Sequence, residues 1–270
     1  MFKTSMAITA GPANFGPLLF AGEWERGVAT AAELGYDGVE VGVRDPAAPA
    51  LQRLARAVRE SGLTISGIAT GQSYYNDGLS LTSPEASIRM QLLDRLKAAI
   101  DFAAPWRATL FIGGVRGRLE GAPADHIAQR EYAVELVRAC AEYAAPCGVP
   151  IAIEPINRYE TNLINTVAEA LEFIDEVGAD NLVVLADTFH MNIEERSLAG
   201  ALRQAGKRLG YVHLADSNRH AAGQGHIDFH ALADVLREMG YTGYISAEIL
   251  PLPNSRAAAE LAIACFRSLQ

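Results

Sequence analysis

Eight times along this chain a short apolar run is followed by a segment whose apolar residues recur at helical spacing. The first run, Thr4 to Thr9, is ended by Gly11 and Pro12, and Trp24, Val28, Ala31 and Gly35 then share one helical face, with Gly35 closing the helix. The second strand lies within Tyr36 to Arg44 and the third within Leu63 to Thr70, separated by a helix from Leu51 to Glu60. Next comes a long connection, Thr70 to Ser83, and a helix with Pro84 in its first turn and a stripe of Ile88, Leu92, Leu96, Ala99 and Ala103. ATLFIGG is the fourth strand, followed by a helix from Asp125 to Ala145. The last four strands are IAIE, NLVVLAD, LGYVH and TGYISAE, with helices at Thr166 to Val177, Glu194 to Ala205, Phe229 to Met239 and Ser255 to Leu269. Strands this apolar and this regularly crossed by helices are buried on both faces, as a parallel sheet requires. Eight of them close a barrel, so the pattern predicts a single (β/α)8 domain over residues 1–270.

Composition narrows what such a barrel does. The 23 basic and 32 acidic residues give a net charge of −9, which disfavours nucleic acid as a partner. No segment has the length of apolar sequence that a membrane span needs, and the amino-terminal residues lack a signal-peptide core, so a cytoplasmic enzyme is expected. Cys140, Cys147 and Cys265 form no CxxC motif and read as reduced structural thiols. The connection at 70–83 is longer than strand-to-helix links usually are, and is expected to act as a lid or substrate wall.

The last four strands share a polar ending. Glu154 closes the fifth immediately before Pro155, which holds the preceding residue extended. Asp187, His213 and Glu248 close the sixth, seventh and eighth. Any one of these fits a polar residue facing water at a strand end. The four together fit that reading badly, because parallel strands present their carboxyl ends on one face. Three packed carboxylates repel and protonate unless a cation neutralises them, so the pattern predicts one divalent metal ion. Oxygen-rich ligation points to Mn or Mg, with Co accommodated, more than to zinc.

The segments EPINRYE, LADTFHMNIEE, HLADSNR, GxGxID at Gly223 to Asp228 and the terminal AEILPLP resemble the sugar isomerase and epimerase superfamily with the xylose-isomerase-like TIM barrel. Within it they are most similar to ketose 3-epimerases of the D-tagatose 3-epimerase type. VRDP, ATGQSYYNDGLSLT, GGVRGR and NRYETNLINT look more like the 5-keto-L-gluconate epimerase branch, whose substrates are sugar acids. The resemblance implies metal ligands at Glu154, Asp187, His213 and Glu248, with Glu154 and Glu248 also the catalytic acid/base pair. It further implies substrate contacts at Glu160, His190 and Arg219. The plain alternatives are a structural hydrogen-bond partner for His190 and a surface charge for Glu160.

An acid substrate calls for a guanidinium fork, and Arg44, Arg116, Arg118 and Arg158 all lie just past strand ends on the expected active face. His126, His220, His226 and His230 have no ligand spacing. The expected reaction is inversion at C3 of a ketose or keto sugar acid, one glutamate removing the proton and the other returning one from the far side. An aldose-ketose or hydroxypyruvate-type isomerase on the same barrel is the alternative. A DNA-repair endonuclease needs more histidines and a basic face, and a silent sugar-acid binder does not need two flanking bases. Barrels of this type often pair through helical faces, so a homo-oligomer, dimer or tetramer, is compatible with the sequence.

Overall fold

The strands close on themselves. The computed structural model describes residues 1–12 and 16–270, and among these eight parallel strands form a closed barrel in chain order. They are β1 (Lys3–Thr9), β2 (Gly38–Gly42), β3 (Thr64–Ala69), β4 (Thr109–Ile112), β5 (Ile151–Ile153), β6 (Leu182–Asp187), β7 (Leu209–His213) and β8 (Tyr244–Ala247). β1 pairs with both β2 and β8, which leaves no free sheet edge.

Alternation along each strand sends one set of side chains outward and the other toward the barrel axis. Leu110, Ile112, Ile151, Ile153 and Val184 belong to the large apolar cluster that the strands share with the helices. Phe111, Ala152, Leu185 and Tyr211, one from each of β4 to β7, form a separate small cluster. That inner plug is tight. At Gly67 of β3 a Cβ would lie 2.2 Å from the Phe111 ring, so only glycine fits there.

The helices around the barrel are α1 (Trp24–Leu34), α2 (Pro49–Glu60), α3 (Gln72–Tyr75), α4 (Ala86–Ala103), α5 (Pro123–Ala144), α6 (Val167–Val177), α7 (Thr188–Glu194), α8 (Leu198–Ala205), α9 (Phe229–Glu238) and α10 (Ser255–Ser268). Gly35 ends α1 in the left-handed conformation, φ 73°, as its position after the apolar stripe implies. Thr166 caps α6 and Glu169 reaches back to complete a capping box.

Three expectations are corrected. Eight helices were expected, and the described residues contain ten, because α3 and α7 are additional. The helix expected at 194–205 begins only at Leu198, as α8, and α7 precedes it. Asp187 Oδ1 accepts the Phe189 amide at 2.7 Å, so the chain enters α7 directly from β6, and the Ser197 hydroxyl starts α8 by accepting the Gly200 amide at 3.1 Å. Pro84 lies outside the helix it was expected to open, because Glu85 is extended and α4 begins at Ala86. No helix among the described residues is long and apolar enough to cross a membrane.

Candidate active site

Asp187 and His213 are the last residues of β6 and β7 and pair in register, while Glu154 and Glu248 stand one residue past β5 and β8. Adjacent strand ends thus carry these side chains to one point. The four residues, all buried, each offer one ligand atom, and these atoms lie within 4.8 Å of one another. His213 Nδ1 is 3.7 Å from Glu154 Oε1, 3.7 Å from Asp187 Oδ2 and 3.9 Å from Glu248 Oε2. Those gaps are too long for hydrogen bonds. Asp187 Oδ2 and His213 Nδ1 are buried with no hydrogen-bond partner. Buried polar atoms are normally satisfied, so two unsatisfied donors of electron pairs aimed at one spot fit a cation held there. His126, His220, His226 and His230 are not part of this group.

Burial and mutual repulsion set the charge state without a cation. Glu248 is pushed up to about 7, chiefly by burial, with Asp187 and Glu40 adding to the rise against His213 and Arg219. Burial and then Glu248 hold Glu154 well above the usual carboxylate range. Asp187 goes the other way: burial would raise it, but His190, His213 and Arg219 together bring it down to about 2. For His213 burial opposes the charged form, and Glu40, Asp187 and Glu248 together outweigh it to hold the imidazole well above its ordinary value.

Beside the four stands a second group. Arg219 donates to Glu248 Oε2 at 3.1 Å and to Glu160 Oε1 at 3.2 Å, and its guanidinium lies over the Phe189 ring. Arg219 adopts a positive φ of 61°, uncommon for a non-glycine residue, and its side chain lines the cavity. His190 Nδ1 receives the Asn157 amide at 2.8 Å, which places the ring proton on Nε2, the nitrogen turned toward Asp187 and Arg219. Burial pulls its pKa down to about 4 despite Asp187, so the ring is neutral at pH 7. The same Asn157 amide group holds Glu160 Oε1 at 2.9 Å.

One cavity gathers these groups. Glu154, Glu160, His190, His213, Arg219 and Glu248 line it together with Gln72, Tyr75 and Phe111. Gln72 and Tyr75 come from α3, so the long connection after β3 does form a cavity wall. Gly113 and Gly114, just past β4, complete it. A Cβ on Gly113 would sit 2.1 Å from Glu154 Oε2 and one on Gly114 would sit 2.7 Å from the Tyr75 ring.

The four arginines expected at a substrate carboxylate lie elsewhere, and none lines this cavity among the described residues. Arg44 is exposed and bonded to Asp77, its Nε 3.0 Å from Oδ1. Arg158 is exposed and forks onto Glu194, with Nε 3.0 Å from both carboxylate oxygens. Arg118 donates to the Glu160 carbonyl at 3.0 Å, bracing the loop that carries Glu160. Arg116 is fully buried and donates to the carbonyls of Glu154 and, at 3.3 Å, Ile164. Position after a strand end says which face a residue is on, and nearby acids and carbonyls decide where its side chain goes.

Three site residues escaped the sequence reading. Asn157 lies inside the EPINRYE segment, and its amide between Glu160 and His190 has no signal in spacing. Tyr75 was one aromatic in a loop. Glu40 did carry a signal: a lone charge between Val39 and Val41 in a strand otherwise apolar. It is wholly buried and its Oε2 lies 2.8 Å from His213 Nε2.

Comparison with known proteins agrees with this geometry. The family described as "Xylose isomerase-like TIM barrel" matches residues 28–269. An L-ribulose 3-epimerase of Mesorhizobium japonicum is 34% identical over 230 residues, 84% of this chain and 75% of the relative. A D-psicose 3-epimerase of Agrobacterium fabrum is 30% identical over 247 residues, 87% of this chain and 79% of the relative. Among solved structures, D-allulose 3-epimerase from a Methylomonas species, in complex with D-allulose, superposes with a TM-score of 0.82 at 26% identity, covering 100% of this chain and 97% of that one.

Proposed function

The chain belongs to the xylose isomerase-like TIM barrel family, and on that premise we propose that it is a divalent-metal-dependent ketose 3-epimerase. The observation that carries the reading is the convergence of Glu154 and Glu248 on one cavity with Asp187 and His213. A cation held by these four, Mn or Mg by their oxygen-rich chemistry with Co also accommodated, supplies Lewis-acid polarisation of the ketone when bound.

The rest is the work of side chains. Removing the C3 proton needs a carboxylate base and its return needs a carboxylic acid on the opposite face of that carbon. Glu154 and Glu248 enter the cavity from well-separated strands, β5 and β8, and are the two groups able to exchange these roles. In each direction of the reaction the ionised one takes the proton and the protonated one delivers. Burial raises the proton affinity of both, that of Glu248 to about 7, so each can hold a proton as well as give one up. Neutral His190, with its proton on Nε2, and Arg219 are placed to donate to oxygens that gain charge as the C–H bond breaks. Glu160, held by Asn157 and Arg219, is placed to accept a substrate hydroxyl.

The cavity favours a neutral ketose over a keto acid. Arg219 is its one guanidinium among the described lining residues, and Glu160 and Glu248 already face it. A substrate carboxylate would have to share that cation with two others.

Proton NMR in deuterated water tests the reading directly. Metal-loaded protein incubated with a neutral ketohexose is expected to place deuterium at C3 with inversion of that carbon, faster than with a ketohexonate. Deuterium at C1 instead would make the protein an aldose-ketose isomerase, and no exchange with metal bound would overturn the epimerase reading for these sugars.

A further inference from the structure

The structure places a fourth carboxylate beneath the three of the candidate metal ligands. Glu40 projects from the middle of β2 into the barrel and is wholly buried. Its Oε2 lies 2.8 Å from His213 Nε2 and accepts the Ser246 hydroxyl at 3.0 Å, and Ser246 is the register partner of His213 on β8. The His213 ring is held edge-on by two aromatic neighbours: Phe111 at 5.7 Å and 79°, and Tyr211 at 5.7 Å and 89°. Tyr211 is anchored in turn by the Ser66 hydroxyl at 2.7 Å.

Those contacts fix the plane of the imidazole but leave its tautomer open. To ligate a cation the ring must give up a proton and present a lone pair, so the metal-bound ring carries a single proton. A carboxylate can only accept, so Glu40 against Nε2 keeps the proton there. That leaves the Nδ1 lone pair facing Glu154, Asp187 and Glu248, and Nδ1 is the buried atom without a partner. Burying a carboxylate inside a barrel is costly unless it is paired and hydrogen-bonded, and the partners of Glu40 here are His213 and Ser246. Resting on the metal reading above, we propose that Glu40 is a positioning residue: it sets the His213 tautomer and orientation so that Nδ1 ligates the cation, and Ser246 holds Glu40 in place.

Isothermal titration of metal-stripped protein with Mn2+ tests this, using Glu40→Gln, Ser246→Ala and the parent chain. The amide of Glu40→Gln keeps the side chain's shape but can turn a donor toward His213, so Mn2+ affinity is expected to fall about 10- to 100-fold. Ser246→Ala is expected to lower it less, and it decides the matter if Glu40→Gln does not fold. Thermal unfolding of each metal-stripped protein is the control, since a merely structural role moves stability rather than affinity. In the Mg2+-loaded parent, the Nε2 proton of His213 is expected downfield and protected from exchange, and shifted upfield in Glu40→Gln. Mn2+ affinity within about twofold of the parent in both variants would overturn the proposal while leaving the metal centre standing. So would an affinity loss matched by an equal loss of metal-free stability. A parent chain that binds no Mn2+ would overturn both readings.

Discussion

Glu248 and Glu154 are acids whose protons a cation must displace. In the metal-free protein Glu248 titrates near 7, and Glu154 is also raised, whereas Asp187 near 2 is ionised throughout and His190 near 4 is neutral above about pH 5. Lowering the pH through 7 protonates Glu248 and opposes binding, Glu154 and His213, both held above their ordinary values, carry further protons that the cation must displace, and Asp187 and His190 contribute no slope. Mn2+ affinity measured by titration calorimetry is therefore expected to fall by at least about tenfold per pH unit from pH 7 to about pH 5, one power of ten for each displaced proton. A flat profile would mean that these carboxylates are not ligands. Arg116 gives a different residue-level expectation. Its guanidinium holds the carbonyls of Glu154 and Ile164 with no carboxylate hydrogen-bonded to it, so Arg116→Met takes the side-chain donor from the buried Glu154 carbonyl, while that of Ile164 keeps the Ile156 amide. Its midpoint in urea should drop by the equivalent of roughly 2 to 4 kcal/mol at unchanged slope. If activity fell while stability stayed, Arg116 would be acting on substrate instead.

At the level of elements, the site depends on how closely β4 and β5 approach at their carboxyl ends. Gly113 follows β4 with φ −106° and ψ −114°, and the space where its Cβ would be is taken by Glu154 Oε2, 2.1 Å away. Gly113→Ala must therefore move the Glu154 carboxylate or the backbone beneath it. A displacement of about 1 Å at a reacting group costs about a hundredfold in rate, so kcat for C3 inversion is expected to fall by about that factor. Thermal unfolding should show the barrel otherwise intact. Retention of full activity would mean that Glu154 tolerates displacement, which a proton-transferring group cannot. The same closeness explains part of what a linear reading leaves out. The glycines of GGVRGR look like loop punctuation, and only the neighbouring strand reveals that a carboxylate occupies the space beside the first.

For the whole molecule, the barrel was legible because its periods repeat: apolar runs ending on Glu154, Asp187, His213 and Glu248 at regular intervals force a common face. What did not show was anything fixed by a partner distant in sequence. Arg44 is turned by Asp77, Arg158 by Glu194, and Glu40 is joined to His213 across 173 positions of chain. Asp187 both ends β6 and caps α7, so one residue erased the loop expected after it. These long-range ties make cation binding a property of the folded barrel, because β5 to β8 must close before the four side chains meet. A ligand that binds only the folded state stabilises it by about 2.7 kcal/mol at a hundredfold excess over its dissociation constant. For a chain of this size each kcal/mol raises the unfolding midpoint by about 2–4 °C. Mn2+ added to metal-stripped protein is therefore expected to raise that midpoint by roughly 5–10 °C, and a chelator to reverse it. Asp187→Asn, which keeps the volume but removes an ionised ligand, should lose most of the shift. A midpoint that Mn2+ leaves unmoved would show that the four strand ends hold no cation, and protons on Glu154 and Glu248 would then relieve the repulsion around an ionised Asp187 instead.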